Sequence, residues 1–227
     1  MNSHPLDNPI WHSLVTQHAR LAVTQGSAAR YPAQIAPFIA VENADPQTDQ
    51  QLRAIVDAGE SVYLLGVAPA LESGWRVLEQ TTIAQMICRE HLEPRPGPQF
   101  RALTADDRDN MLELTAKVFP GYYRERTHEM GRYIGIYAAD TLAAMAGERM
   151  CLDGFVEISA VCTHPDFTSR GFAARLVTAL CNDIVSRRQT PFLHVNWGNA
   201  RARALYAKLG FADRASIPLW SLQRLAP

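Results

Sequence analysis

Strands and helices alternate along this chain, which predicts an α/β (α+β) protein: a smaller mixed N-terminal domain over residues 1–98, then a larger domain over 99–227. Three features carry that expectation. Glu93-Pro94-Arg95-Pro96-Gly97-Pro98 sets three prolines within five residues; such a run can neither continue a helix nor sit in a central strand, so it reads as an extended connector. Phe155–Cys162 (FVEISAVC) is apolar on both alternating faces except at Glu157 and Ser159, the pattern of a central strand. Ala173, Leu176, Val177, Leu180, Cys181, Ile184 and Val185 then recur at helical spacing and form one continuous apolar face.

Taken in order, residues 10–23 carry apolar side chains at 10, 11, 14, 15, 19, 21 and 22, which suits a helix. Gln47–Ala58 suits a second helix, closed by Gly59, and Ser61–Val67 and Thr81–Cys88 read as strands. Past the connector, Phe100–Leu103 is a short strand, and Thr104 with Asp106 and Asp107 starts a helix reaching Val118. Tyr133–Ala138 and Leu142–Met150 form a hairpin turning at Ala139-Asp140, followed by the central strand and the apolar-faced helix. Pro191–Asn196 is a further strand. Asn199 caps a helix that stops at Gly210, and Phe211–Arg214 with Ile217–Gln223 reads as a closing strand pair.

Composition limits the function. With 227 residues and 47% hydrophobic side chains, the chain can bury a sizeable core. The net charge of −1 divides into −4 over 1–98 and +3 over 99–227, where nearly all the basic excess is arginine. That total, without aromatic–basic interleaving, argues against a nucleic-acid partner. Cys88, Cys151, Cys162 and Cys181 contain no C-x-x-C pair, and His4, His12, His18 and His91 are scattered. The expectation is therefore four buried thiols in a reducing, cytoplasmic setting, with no metal. No apolar run approaches a membrane span and MNSHPLDNPIWHS lacks a signal pattern, so a cytoplasmic protein with no membrane association is expected.

The segment Ser169-Arg170-Gly171-Phe172-Ala173-Ala174 opens the apolar-faced helix. Free N–H groups at a helix start, with small residues and an arginine beside them, suit a pyrophosphate. Neither G-x-x-x-x-G-K-[ST] nor G-x-G-x-x-G is present, so the loop is not of the Walker or dinucleotide type.

The runs EISAVCTHPDFTSRGFAARLV and PFLHVNWGNARARALYAKLGF resemble the GNAT superfamily of N-acetyltransferases, nearest its FR47-like branch, over residues 99–227. The family's [Arg/Gln]-x-x-Gly-x-[Gly/Ala] motif falls on Thr168 to Ala173, with Thr168 departing at its first position and removing one potential phosphate contact. The second motif runs from Asn199 through Tyr206 to Leu209-Gly210-Phe211 without departure. The resemblance implies a mixed, mostly antiparallel sheet flanked by helices, with acetyl-CoA as cosubstrate. Backbone of Ala160, Val161, Cys162 and Thr163 would pair with the pantetheine arm. Ser169, Arg170, Gly171, Phe172, Ala173 and Ala174 would cradle the pyrophosphate. Asn199 would touch the cofactor, and Tyr206 would lie near the thioester sulfur.

Amide formation needs a base for the ammonium and an acid for the departing thiolate. Glu157, a lone carboxylate in an apolar strand whose pKa desolvation would raise, is the expected base; the competing reading is a structural pair with an arginine on a neighbouring strand. Its spacing to Gly171 also resembles that between base and loop in part of the family. Tyr206 is the expected acid, against a purely packing role. Cys162 reads as a packed thiol and His194 as a core histidine. Tyr122 and Tyr123 with Arg124 and Arg126 fit either an acceptor pocket or a solvated turn. Trp197 and Trp220 read as core or subunit-contact residues. The expected partner is a small-molecule or peptide amine acceptor, bound by a monomer or homodimer, with residues 1–98 forming a degenerate second half or a lid. The alternative is a non-catalytic acyl-CoA-binding module.

Overall fold

The computed structural model describes residues 4–226. Residues up to 98 contribute α1 (Pro9–Val15), β1 (Val23–Gln25), β2 (Ala28–Arg30), β3 (Phe38–Val41), α2 (Gln47–Ile55), β4 (Ser61–Leu65) and β5 (Trp75–Ile87). Beyond the connector come β6 (Arg101–Leu103), α3 (Arg108–Val118), β7 (Tyr133–Ala138), β8 (Thr141–Leu152) and β9 (Phe155–Thr163). They are followed by α4 (Phe172–Ser186), β10 (Thr190–Asn196), α5 (Ala200–Lys208) and β11 (Ala212–Arg224).

The strands join one sheet in the order β1-β2-β3-β4-β11-β5-β10-β9-β8-β7-β6. It is antiparallel throughout except at β3/β4 and β9/β10. β5, from the first 98 residues, is inserted between β10 and β11 and pairs with both. The sheet therefore continues across the proline connector, which has no regular structure. Asn182 on α4 docks the start of that segment, accepting from Leu92 N at 2.7 Å and donating to Leu92 O at 2.8 Å.

Several elements differ from the sequence expectation, among them α2, which ends at Ile55 instead of Ala58, and β5, which starts at Trp75 instead of Thr81. The helix expected over 10–23 ends at Val15, since Thr16 leaves helical dihedrals and the buried His18 is drawn to the Ser13 and Tyr31 hydroxyls. The closing strand pair is one strand, β11, with a register shift between Asp213 and Ala215 that bends it along β5. β1, β2 and β3, of three or four residues, escaped a reading based on periodicity, because so short a run shows none.

The sheet separates two main cores. α4 and α5 cover one face, where Leu176, Val177, Leu180, Cys181 and Ile184 pack on Ile134, Ala146, Val156, Ile158, Leu193 and Phe211. α1 and the segment around Tyr31–Phe38 cover the other, against Met150, Leu152, Phe192 and Ile217. The core is close-packed at Gly147, where an added Cβ would lie 2.1 Å from the Tyr133 ring, itself 2% exposed. Gly147→Ala is thus expected to destabilise by about 2–3 kcal/mol, through overpacking beside a ring with nowhere to move. Denaturant unfolding measures it, and a change below ~0.5 kcal/mol would show that Tyr133 shifts freely.

Candidate active site

β9 and β10 run parallel but pair only where Thr190–Phe192 meets Phe155–Glu157. Beyond that point β10 stays with β5 as far as Asn196, and β9 stays with β8 as far as Thr163. The two strands part, and among the described residues no strand pairs with the β10-facing edge of residues 158–163. That edge offers backbone donors and acceptors to any extended ligand chain. A bulge shapes it: Gly147 opposes Ser159 and Met145 opposes Cys162, so Ala160 and Val161 together face Ala146. Ala160 takes φ +49°, a left-handed conformation that costs a residue with a Cβ and is held here by the surrounding sheet.

At the end of this edge lies a cleft of about 440 Å³. Val161, Thr163, Ser169 through Ala174, Asn199 and Tyr206 line it. Ala160 and Cys162 do not: they pack with Leu103, Met111, Leu114 and Met145 under α3. Val118, Phe167, Thr168, Arg201, Ala202 and Leu205 complete the wall. Of these, Arg201 and Leu205 were within reach of the sequence, lying two residues after Asn199 and one before Tyr206.

The loop into α4 is built for an anion. Ser169 (φ +64°) and Gly171 (φ +77°) both lie in the left-handed region, a backbone arrangement that turns successive N–H groups toward one point. An added Cβ at Gly171 would meet nothing within 4 Å, so glycine is needed there for its dihedral and not for space. No side chain caps α4, which leaves its first-turn amides free to meet a ligand. Arg170 stacks over Phe167, its Cζ 4.9 Å from the ring centroid. α5 starts at the same cleft, with Asn199 Oδ1 accepting from Ala202 N at 3.0 Å.

Tyr206 is 8% exposed, lines the cleft, and has no protein partner for its hydroxyl among the described residues. Burial pushes its phenol up to about 12. The neighbouring Cys162, 2% exposed, is likewise pushed up to about 12 by burial and so stays a thiol. All four cysteines are free.

Glu157 lies elsewhere. It is fully buried and absent from the cleft wall. Arg149 grips it in two places, Nε to Oε2 at 2.7 Å and Nη2 to Oε1 at 2.5 Å. The His194 ring nitrogen Nδ1 lies 2.8 Å from Oε1. The expected rise in its pKa is corrected here: burial does push upward, but the Arg149 charge and hydrogen bonds, helped by His194, outweigh it and hold the carboxyl at about 2. A carboxylate so held accepts no proton near neutrality. The polar chain continues: Gln85 Nε2 donates to Leu6 O and lies 2.9 Å from His194 Nε2, which assigns the His194 proton to Nδ1. Gln85 Oε1 accepts from Arg214 at 2.6 Å, and Arg214 pairs with Asp7. His194 is thereby a satisfied core histidine, 2% exposed at its side chain.

The segment after α3 joins the two parts of the chain. Tyr122 stacks between Phe119 and Tyr63, at centroid distances of 4.8 and 4.6 Å. Tyr63 meets Phe38 edge-on, and the Arg149 guanidinium lies over the Phe38 ring at 4.9 Å. This aromatic run begins one residue after Val118, which lines the cleft. Tyr123 is half-buried against Met111, while Arg126 pairs with Glu129 at the surface. Trp197 is 39% exposed, which excludes a core role. Among the described residues no group of three or more His, Cys, Asp or Glu is placed to hold a metal, and no helix is long and apolar enough to cross a membrane.

Residues 133–220 match the family of FR47-like proteins. Among solved structures, a GNAT-family protein from Novosphingobium aromaticivorans is similar over 99% of this chain and 100% of its own, with 32% identity and a TM-score of 0.90. A GCN5-related N-acetyltransferase from Kribbella flavida is similar over 95% and 96% of the two chains, at 14% identity and a TM-score of 0.62. A Drosophila protein is similar over 89% and 75%, at 14% identity and a TM-score of 0.64. No curated protein sequence matches the chain.

Proposed function

The chain belongs to the GNAT family of acetyltransferases, and from that premise we propose that it transfers the acetyl group of acetyl-CoA to a primary amine by direct attack within a ternary complex. The observation that carries the reading is the parting of β9 from β10 beside the uncapped start of α4. An extended pantetheine arm fits the open edge of 158–163, and a pyrophosphate fits the amides around Ser169–Ala174. The thioester carbonyl would then lie near the β9 bulge, where backbone N–H groups of Val161 or Cys162 can stabilise the developing oxyanion.

Among the described residues, those that form the cleft wall include no carboxylate or imidazole. We therefore assign the amine's proton to water, and give Glu157 the role of holding Arg149 against Phe38 instead of acting as the base. With no enzymic base below the pKa of the amine, kcat/KM should climb with pH toward that pKa, near 10.4 for an alkylamine. A plateau from pH 7 upward would point to a base on the protein. The aromatic run from Phe119 through Tyr122 to Tyr63 favours residues 1–98 as part of the acceptor side, in the manner of a lid.

The direct test is acetyl-CoA binding by calorimetry together with thiol release against a panel of primary amines. Micromolar binding with amine-dependent thiol release is expected. Tight binding without release would favour an acyl-CoA-binding module, and absence of binding would overturn the cosubstrate assignment.

A further inference from the structure

β5 outruns one of its two partners. Its pairing with β10 ends where Ile83 meets Asn196, while β11 follows it back to Trp75. Residues 76–82 therefore keep one edge that no strand covers among the described residues. Cys88 N donates across to Pro191 O at 3.0 Å, and residues of one parity along a strand face the same neighbour, so Gln80 and Thr82 turn their N–H and C=O to the open edge. Pro218, opposite Thr82, agrees: it has no N–H to give β5, and its carbonyl accepts from Gly66 N on the β4 side. Val77 and Leu78 on this stretch are 47% and 51% exposed. A bare edge carrying apolar side chains is a liability in a folded chain unless something pairs with it.

The open stretch starts beside the cleft, since Asn196, where β10 leaves β5, closely precedes Asn199 of the cleft wall. Alternating backbone donors and acceptors are matched by another polypeptide backbone, whereas a small amine uses none of them. The proton argument points to the same occupant. With water taking the proton, only free amine reacts: at pH 7 that is about a tenth of a peptide α-amine, whose pKa is about 7.7–8.0, but only about 0.04% of an alkylamine near 10.4. Charge fits as well. Glu79 is exposed and has no ion pair among the described residues, and it shares a row and a face with Ser221 and Tyr63 across β5, β11 and β4, which suits a basic side chain on an incoming strand. We propose that the acceptor is a polypeptide whose first residues add to β5 along 76–82 and deliver their α-amine to the thioester. β5 runs toward the cleft, so a peptide with its first residue at the cleft runs antiparallel to it. The inference rests on the acetyl transfer proposed above and names its acceptor.

Thiol release by the parent protein tests it with three acceptors: a short arginine-containing peptide with a free α-amine, its Nα-blocked form carrying a lysine, and butylamine. At pH 7 kcat/KM for the free peptide should exceed that for butylamine by about 100-fold or more, and its rise with pH should level off at about 8. The blocked peptide should fall to the butylamine level. N-methylation of successive amides in the free peptide should lower kcat/KM about fivefold or more at every second residue and leave it unchanged between, the signature of a strand that donates to β5 with alternate amides. A uniform response along the peptide, or butylamine matching the free peptide, overturns the polypeptide acceptor and leaves acetyl transfer standing. Sedimentation showing a dimer whose formation suppresses peptide turnover would assign the edge to a second copy of the chain and equally overturn it. Absence of thiol release with every amine would instead sink acetyl transfer itself, and this acceptor with it.

Discussion

Glu157→Gln lowers stability at pH 7 by about 3 kcal/mol. Removing one partner of a buried ion pair leaves an uncompensated charge, at a cost of about 3–5 kcal/mol. Independently, holding a carboxyl at about 2 instead of its ordinary 4.5 corresponds to about 3 kcal/mol through proton linkage. For a chain of this length that is a fall of about 6–12 °C in Tm. The sign with pH follows from the depressed value. The contribution is complete above about pH 5 and is lost as the pH falls through 4.5 toward 2. The gap between parent and variant should therefore close on acidification. Adding Arg149→Gln should recover part of the loss, because the unpaired cation is then gone. A single variant melting within 1 °C of the parent at pH 7 would mean that Arg149 finds another partner or water.

The same residue shows where the sequence stops being legible. That Glu157 is a carboxylate in an apolar central strand can be read directly, and so can the possibility of an arginine beside it. Which arginine, and with what effect on its proton, depends on a bulge. Cys151 opposes Val156 and Glu148 opposes Ile158, so Arg149 and Met150 both face Glu157. One extra residue in β8 brings the guanidinium alongside, and hairpin arithmetic does not reveal where such a residue falls. β7 through α5 were legible because each combines a long periodic run with a distinct stop signal, such as Gly210 at φ +93° after α5. The family motif likewise placed the cleft wall, since it encodes local geometry: a left-handed glycine and an uncapped helix start. The insertion of β5 between β10 and β11 was not legible. It is a pairing between residues more than a hundred positions apart, and the alternation within either strand is the same whichever neighbour it meets. For the same reason the stack of Tyr122 on Tyr63 could not be foreseen from a segment that read equally well as a solvated turn.

Tyr206→Phe should lower kcat by about 100-fold or more while leaving the Kd for CoA within about threefold, the span expected for loss of a positioned acid. The substitution is close to silent for the fold, because the ring stays in its place against Phe211 and the hydroxyl has no protein partner to abandon. Its chemical effect follows from a matching of proton affinities. A phenol near 12 is a poor donor to an ordinary thiolate of about 8.5. The departing thiolate is not in ordinary surroundings, however. Burial alone pushes the Cys162 thiol, packed under α3, up to about 12. A coenzyme A thiolate expelled beside the buried Tyr206 would also be raised by desolvation, which narrows the gap to the phenol and lets the proton pass as the carbon–sulfur bond breaks. Two consequences separate this from a packing role. Tyr206 should impose no alkaline limb on kcat below about pH 11. Thioesters with better leaving groups, whose thiolates need the proton less, should also lose less activity in the variant. Equal losses across such a series, or a loss of CoA binding that matches the loss of kcat, would remove Tyr206 from the proton step.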